Sequence, residues 1–254
     1  MSTTMTLAQL SDAIRQRADM VNASGIYTNT FVTASELTSY INQSYFELYD
    51  LLVQKYGDNY YVAAPLSFST DGTTFQYPLP DGTNYSAAPA LYKFLGLDLA
   101  LSPNSQDSFV TIRPFMFSDR NRYAVPNFQS FYGVTNLRYR LNGTNLWLTP
   151  TPAAGQTLRL WYVPRLTQLI SNSDTADGIS GWTEYIIVDG VIKCKEKEES
   201  DVSVEMAQKQ ALIQRIESAA ENRDAGNPAV VSDGQYSDLW WPTGNGSGYN
   251  SGAM

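Results

Sequence analysis

Apolar positions along the chain change their period twice. Leu7, Leu10, Ile14 and Ala18 recur at helical spacing behind Thr6, a residue suited to cap a first turn, with Asp12, Arg15 and Asp19 between them. This predicts a short amphipathic helix to about Met20, broken by Asn22-Ala23-Ser24-Gly25. A second helix begins at Thr33-Ala34-Ser35-Glu36, where hydroxyl and carboxylate can cap each other's amides. Leu37, Ile41, Tyr45, Leu48 and Leu52 form its stripe, widened by Tyr40 and Ser44, and Gly57 stops it.

From Asn59 to about Leu169 the period shortens to two. Tyr60–Ala63, Thr74–Tyr77, Ala90–Leu101, Phe109–Phe117, Leu137–Leu141, Asn145–Leu148 and Thr157–Val163 are rich in β-branched and aromatic residues. Asp71-Gly72, Asp81-Gly82, Asn142-Gly143 and Ala154-Gly155 separate them as turns. The clearest hairpin joins Leu137–Leu141 to Thr144–Leu148 through Asn142-Gly143, a pair suited to a type I′ turn.

Helical spacing returns after Gly181. Trp182, Tyr185, Ile186 and Val188 to Ile192 make an apolar stretch that turns charged from Lys193 to Glu199, as if one end were buried and the other emerged. A last helix runs from about Ser203 to Asn222, with Met206, Leu212, Ile213, Ile216 and Ala220 on its inner face. The tight link Glu198-Glu199-Ser200-Asp201 folds the two back on each other. The pattern predicts an α+β protein: an antiparallel four-helix bundle from residues 1–57 and 171–223, a mainly antiparallel β domain inserted at 58–170, and an extended tail at 224–254. The tail shows neither period and is rich in glycine, yet it carries Tyr236, Leu239, Trp240, Trp241 and Tyr249. A segment with that much aromatic surface and no core of its own is expected to order on a partner.

Composition narrows the chemistry. The chain has 254 residues, enough for one large domain or two small ones, and no apolar run near the roughly 20 residues of a bilayer helix. Its start lacks the basic and apolar stretches of a secretory signal, so no membrane anchor is expected and synthesis in the cytoplasm is. It holds no histidine and one cysteine, Cys194, which removes the commonest zinc ligand, disulfide frameworks and His-activated nucleophiles. No metal and no cofactor are expected. The net charge of −8 is unevenly spread: residues 58–170 hold eight basic and six acidic residues, the rest nine basic and nineteen acidic. That balance argues against a protein that grips phosphates.

The clusters that could carry activity read as structural. Glu196, Glu198 and Glu199 interleave with Lys193, Lys195 and Lys197 as a solvated, mutually paired face. Glu36, Glu47 and Asp50 lie on the second helix among tyrosines; Glu47 could face a groove beside Tyr40 or Tyr61, but no catalytic residue is assigned. Arg113, Arg120, Arg122, Arg138 and Arg140 stand among Phe115, Phe117, Tyr123, Phe128, Phe131, Tyr132 and Tyr139. Such mixtures bind single-stranded nucleic acid or proteins, and the acidic whole favours protein. Arg113, Arg120, Arg122, Phe128, Phe131 and Tyr132 are the interface candidates of the β domain. Trp147, Trp161 and Trp182 are expected in cores and Cys194 as a buried spectator, which leaves Trp240-Trp241 for an external partner.

Two stretches carry a resemblance. Thr33–Leu37 with Ile41–Leu52 resembles the second helix of head-to-tail adaptor proteins of tailed phages. Lys197–Ser203, Leu212–Ile216 and Asn222-Arg223-Asp224 are similar to that family's C-terminal helix hairpin. The resemblance implies a non-enzymatic subunit of the virion neck that assembles with itself as a ring, commonly a dodecamer. Such a ring joins the portal protein to a tail or nozzle protein and lets DNA pass without specific binding. Tyr236, Leu239, Trp240, Trp241 and Tyr249 would dock into portal or neighbour. Accessory peptidoglycan hydrolysis and glycan binding by exposed β-domain aromatics are the alternatives from other classes.

Overall fold

The computed structural model describes residues 4–21, 31–57, 61–101, 108–123, 137–176 and 182–221. Helix α1 (Leu7–Arg17) opens on a reciprocal cap in which the Thr6 hydroxyl accepts from the Gln9 amide and the Gln9 side chain accepts from the Thr6 amide. Helix α2 (Ala34–Tyr56) begins with the expected capping box, Thr33 N–H donating to Glu36 Oε2 at 2.8 Å. Near the C-terminus of the described chain stand α5 (Thr183–Lys197) and α6 (Ser203–Glu221). Leu10 and Ile14 of α1, Leu37, Ile41 and Leu48 of α2, Ile186 and Val191 of α5 and Ile216 of α6 share one apolar cluster. Gly190 lets α1 approach α5, since a Cβ there would lie 2.5 Å from Ile14 Cδ1.

The inner face of α6 differs from expectation at its start. Met206 is 52% exposed, whereas Glu205 is buried. Lys195 of α5 donates to Glu205 at 2.7 Å, so an ion pair takes the inward place and the thioether turns outward.

Between these helices lies a seven-stranded sheet of β1 (Leu66–Ser69), β2 (Gln76–Pro78), β3 (Leu91–Ala100), β4 (Phe109–Pro114), β5 (Arg138–Asn142), β6 (Asn145–Thr149) and β7 (Thr157–Pro164). Its order is β1-β7-β3-β4-β5-β6-β2, antiparallel except where β4 and β5 run parallel. The fold is α+β, as the pattern predicts. Strand β1 was not expected, and Tyr61–Ala63 form no strand, only a bond from the Ala63 amide to Tyr162 O. Strand β4 ends at Pro114, short of Phe117, with the Phe115 amide still donating to Tyr139 O at 3.0 Å; a 3₁₀ turn (Phe117–Asp119) and the single-turn α4 (Arg120–Tyr123) follow.

The hairpin is present with a different turn. Asn142 pairs with Asn145, so Gly143 and Thr144 form the turn, and of these Gly143 alone has positive φ (57°). A type II′ turn needs positive φ only at its first position, which spares Asn142 the left-handed region that type I′ would impose.

The sheet curls until its edges meet. Thr70 extends the β1–β7 ladder, its amide donating to Gln156 O; five residues later Phe75 O accepts from Leu148 of β6. Asp71 holds this crossing by accepting from the Thr73 and Thr74 amides at 2.9 and 2.7 Å. A single left-handed turn, α3 (Asn84–Ala87), then wedges the seam: the Tyr85 ring lies 5.5 Å from that of Phe68 in β1 and its hydroxyl donates to Pro78 O in β2 at 2.7 Å. Inside the curl Tyr77, Leu97, Ile112, Leu146, Leu148, Leu158, Leu160 and Tyr162 form a second core. On the opposite face, Val163 and Leu95 pack against Tyr49 and Val53 of α2, joining helices to sheet.

Candidate interface surfaces

The charged end of α5 is tied inward. Lys193 donates to Glu47 of α2 at 2.9 Å, to Ser44 at 3.1 Å and to Asp189 one turn earlier. Lys209 of α6 reaches the other carboxylate oxygen of Asp189 at 2.6 Å and Glu47 at 3.1 Å. The four charges cancel around Asp189, whose side chain is 3% exposed. Burial pushes the Asp189 carboxyl up, but hydrogen bonds from Lys193, Lys209 and Ser44 outweigh it, and the group stays below the usual carboxylate range. Hydrogen bonds to Lys197 and to Thr33 hold Glu36 at about 2.

This corrects the reading of α5 as a mutually paired face. Its lysines are bonded to other helices: Lys193 to Glu47, Lys195 to Glu205, and Lys197 to Glu36 at 2.7 Å. Helix geometry explains the difference, because alternate residues point in different directions and cannot all face one neighbour. Glu47 faces two lysines rather than a groove, and Asp50 accepts from the Tyr92 hydroxyl at 2.6 Å. The sequence reading passed over Asp189 as part of an apolar stretch. The available signal was a lone acid among buried positions with a lysine four residues on.

Cys194 is buried, and burial raises its thiol to about 11, as a spectator would require. Trp182 is buried; Trp147 and Trp161 are half-buried, on the outer face of the sheet, with Trp161 Nε1 donating to Asp98 at 2.6 Å. Strand alternation explains it: Leu146 and Leu148 point into the curl, so Trp147 points out.

The outer face of β4, β5 and β6 gathers arginines. Arg113 sits beside Arg138 in the parallel register, and Arg140 lies across from Trp147. Arg140 and Arg120 both approach the Phe117 ring, at 5.5 and 4.5 Å, and Arg120 also donates to Phe117 O at 3.0 Å. Phe75, Met116 and Phe117 are 47%, 72% and 48% exposed beside them. A cleft of about 250 Å³ opens between Phe75, Trp147, Pro150 and Arg120. Of the interface candidates, the structure brings Arg113 and Arg120 to this face. The Arg122 side chain, Phe128, Phe131, Tyr132, Tyr236, Leu239, Trp240, Trp241 and Tyr249 lie outside the described residues.

No described helix is long and apolar enough to cross a membrane. Helices locked together by ion pairs, beside a curled sheet that carries arginines and aromatic rings on its described outer face, suit a protein that makes contacts, and the family match assigns the class of phage adaptor. A family model described as SU10 adaptor protein matches residues 5–232, and the chain belongs to that family. No curated protein matches it.

Proposed function

We propose that this adaptor assembles with itself into a ring, in dodecameric form, that joins the portal protein to the tail or nozzle protein and continues the DNA channel. The observation that carries the reading is the family match across residues 5–232. On this reading the chain works at the virion neck after synthesis in the host cytoplasm, as a structural part and not an enzyme. Its helical segments, 1–57 and 171–223, act as one antiparallel bundle, the inserted β domain spans 58–170, and the segment 224–254 docks to portal or neighbour through Tyr236, Leu239, Trp240, Trp241 and Tyr249. The shared core of the four long helices supports the bundle. The acidic balance supports a channel wall that DNA slides past, since binding to phosphates comes from cation contacts.

Electron micrographs of the purified protein with and without portal test the reading. Closed rings that cap the portal are expected; particles that never close, or that ignore the portal, would reject it. The bundle is tested by Leu48→Asp and Ile216→Asp, whose side chains are buried. Each places an unpaired charge in the shared core and should unfold the helical part. A peptidoglycan zymogram, expected blank, separates the adaptor from a hydrolase.

A further inference from the structure

Among the described residues, the subunit's helices cover only part of the outer surface of its sheet. Tyr49 and Val53 of α2 lie over β7 and β3 through Val163 and Leu95. The rest, over β4, β5 and β6, carries Arg113, Arg120, Arg138 and Arg140, with Asp119 the nearby acid, and the exposed rings of Phe75 and Phe117. Arginine and aromatic side chains dominate the energetics of protein contacts, and this face has an apolar cleft next to its cations.

A segment of the same chain has the complementary chemistry. Residues 224–254 contain three acids, Asp224, Asp233 and Asp238, and no lysine or arginine. Asp233-Gly234-Gln235-Tyr236-Ser237-Asp238-Leu239-Trp240-Trp241 concentrates two of those acids with three aromatic rings. Helix α6 is described to Glu221 and lies against the end of α2, Glu217 pairing with Lys55 at 2.8 Å. Twelve further residues reach Asp233, a span of up to about 40 Å when extended. That is enough to leave the subunit's own surface.

We infer that the arginine–aromatic face of the sheet receives the Asp233–Trp241 segment of a second copy of this chain. Asp233 and Asp238 meet Arg120 and Arg140, and an indole of Trp240 or Trp241 fills the cleft whose wall includes the Phe75–Trp147 ring pair and Pro150. The inference rests on the ring reading and adds to it that this part of one subunit's sheet faces the next subunit. Opposite charges across such a contact fix its register and its partner more than its strength. The contact therefore weakens as salt rises.

The test is a charge swap in the full chain. Asp233→Arg with Asp238→Arg, and separately Arg120→Glu with Arg140→Glu, should each weaken self-assembly about tenfold or more by sedimentation at low salt. Combining all four changes should restore it. Circular dichroism of each variant before sedimentation separates folding effects from assembly. Normal assembly of the segment variant, or no recovery in the combined variant, would overturn the contact. Source is read by mixing a Ser237→Cys chain with an Asn121→Cys chain under oxidation. A disulfide between the two chains supports a second copy; one that forms only within a chain carrying both changes overturns it. A chain that stays monomeric at every concentration rejects the ring. The contact then stands only if a labelled peptide of residues 230–245 binds the full chain and fails to bind the Arg120→Glu, Arg140→Glu form.

Discussion

Lys209 on α6 and Asp189 on α5 meet at 2.6 Å inside the helical core, and Lys193 holds the other oxygen of the same carboxylate. Removing Asp189 leaves two lysines facing each other with only Glu47 to balance them. Breaking a buried ionic cluster from one side costs roughly 3–5 kcal/mol. Asp189→Ala should therefore lower the denaturant midpoint steeply, while the triple change Asp189→Leu, Lys193→Met, Lys209→Met should recover much of the loss. Urea unfolding of the two forms checks this, and equal midpoints would show that the cluster is not the lock between these helices.

Acid should weaken the fold over a defined window. Asp189 and Glu36 both have carboxyl groups held below their ordinary values, Glu36 at about 2. A carboxyl depressed in the folded state contributes its stability fully above its unfolded value, near 4 to 4.5, and loses it as pH falls toward the folded value. Stability should be flat from pH 7 to about 5 and fall between about 4 and 2. In Glu36→Gln with Asp189→Asn that decline should be shallower, from a lower starting point, in melting curves recorded across pH.

Asn42 acts as a backbone surrogate for the stretch after β7. Its amide group donates to Leu169 O at 2.9 Å and accepts from Leu169 N–H at 2.8 Å. Asn42→Ala strands both main-chain groups beside α2, at a cost of about 1–3 kcal/mol. Hydrogen exchange at the Leu169 amide should speed up markedly in this variant, and unchanged protection there would refute the assignment.

Gly72 sits at the crossing between the sheet edges with φ of 81°, and a Cβ there would fall 2.9 Å from the Ala154 backbone nitrogen and Cβ. Gly72→Ala combines a left-handed conformation with a backbone clash, so a loss of about 2 kcal/mol or more is expected. The loss should appear in near-ultraviolet circular dichroism of the aromatic-rich sheet. An unaltered melting temperature would mean that the crossing is not a fixed point of the fold.

Sequence pattern located the four long helices because their caps and stripes are local: Thr33 with Glu36, and Leu37 through Leu52, stand within one helix. It located the hairpin but put the turn one residue early, since Asn142-Gly143 and Gly143-Thr144 both form two-residue turns. Strand β1 escaped because Leu66-Ser67-Phe68-Ser69 has only two apolar residues and gains its identity from pairing with β7. The parallel contact of Arg113 with Arg138 is set by a connection of more than twenty residues and has no local signature. Nor could the pattern say that Lys193 and Lys197 bond to α2 while Lys195 bonds to α6. The arginine face was legible as composition and became a surface only through strand register.

The wedge at Tyr85 has one more consequence. An open sheet advertises free amides along its margins, and any chain present in many copies can add a strand there and grow without limit. Here the two marginal strands have four and three residues, are joined by one crossing, and are bridged by the Tyr85 ring and hydroxyl and by the contact of the Phe68 and Tyr77 rings. Polymerisation by strand addition is thereby discouraged. On the ring reading, copies of this chain recognise each other through side chains, and contacts of that kind can be counted and closed.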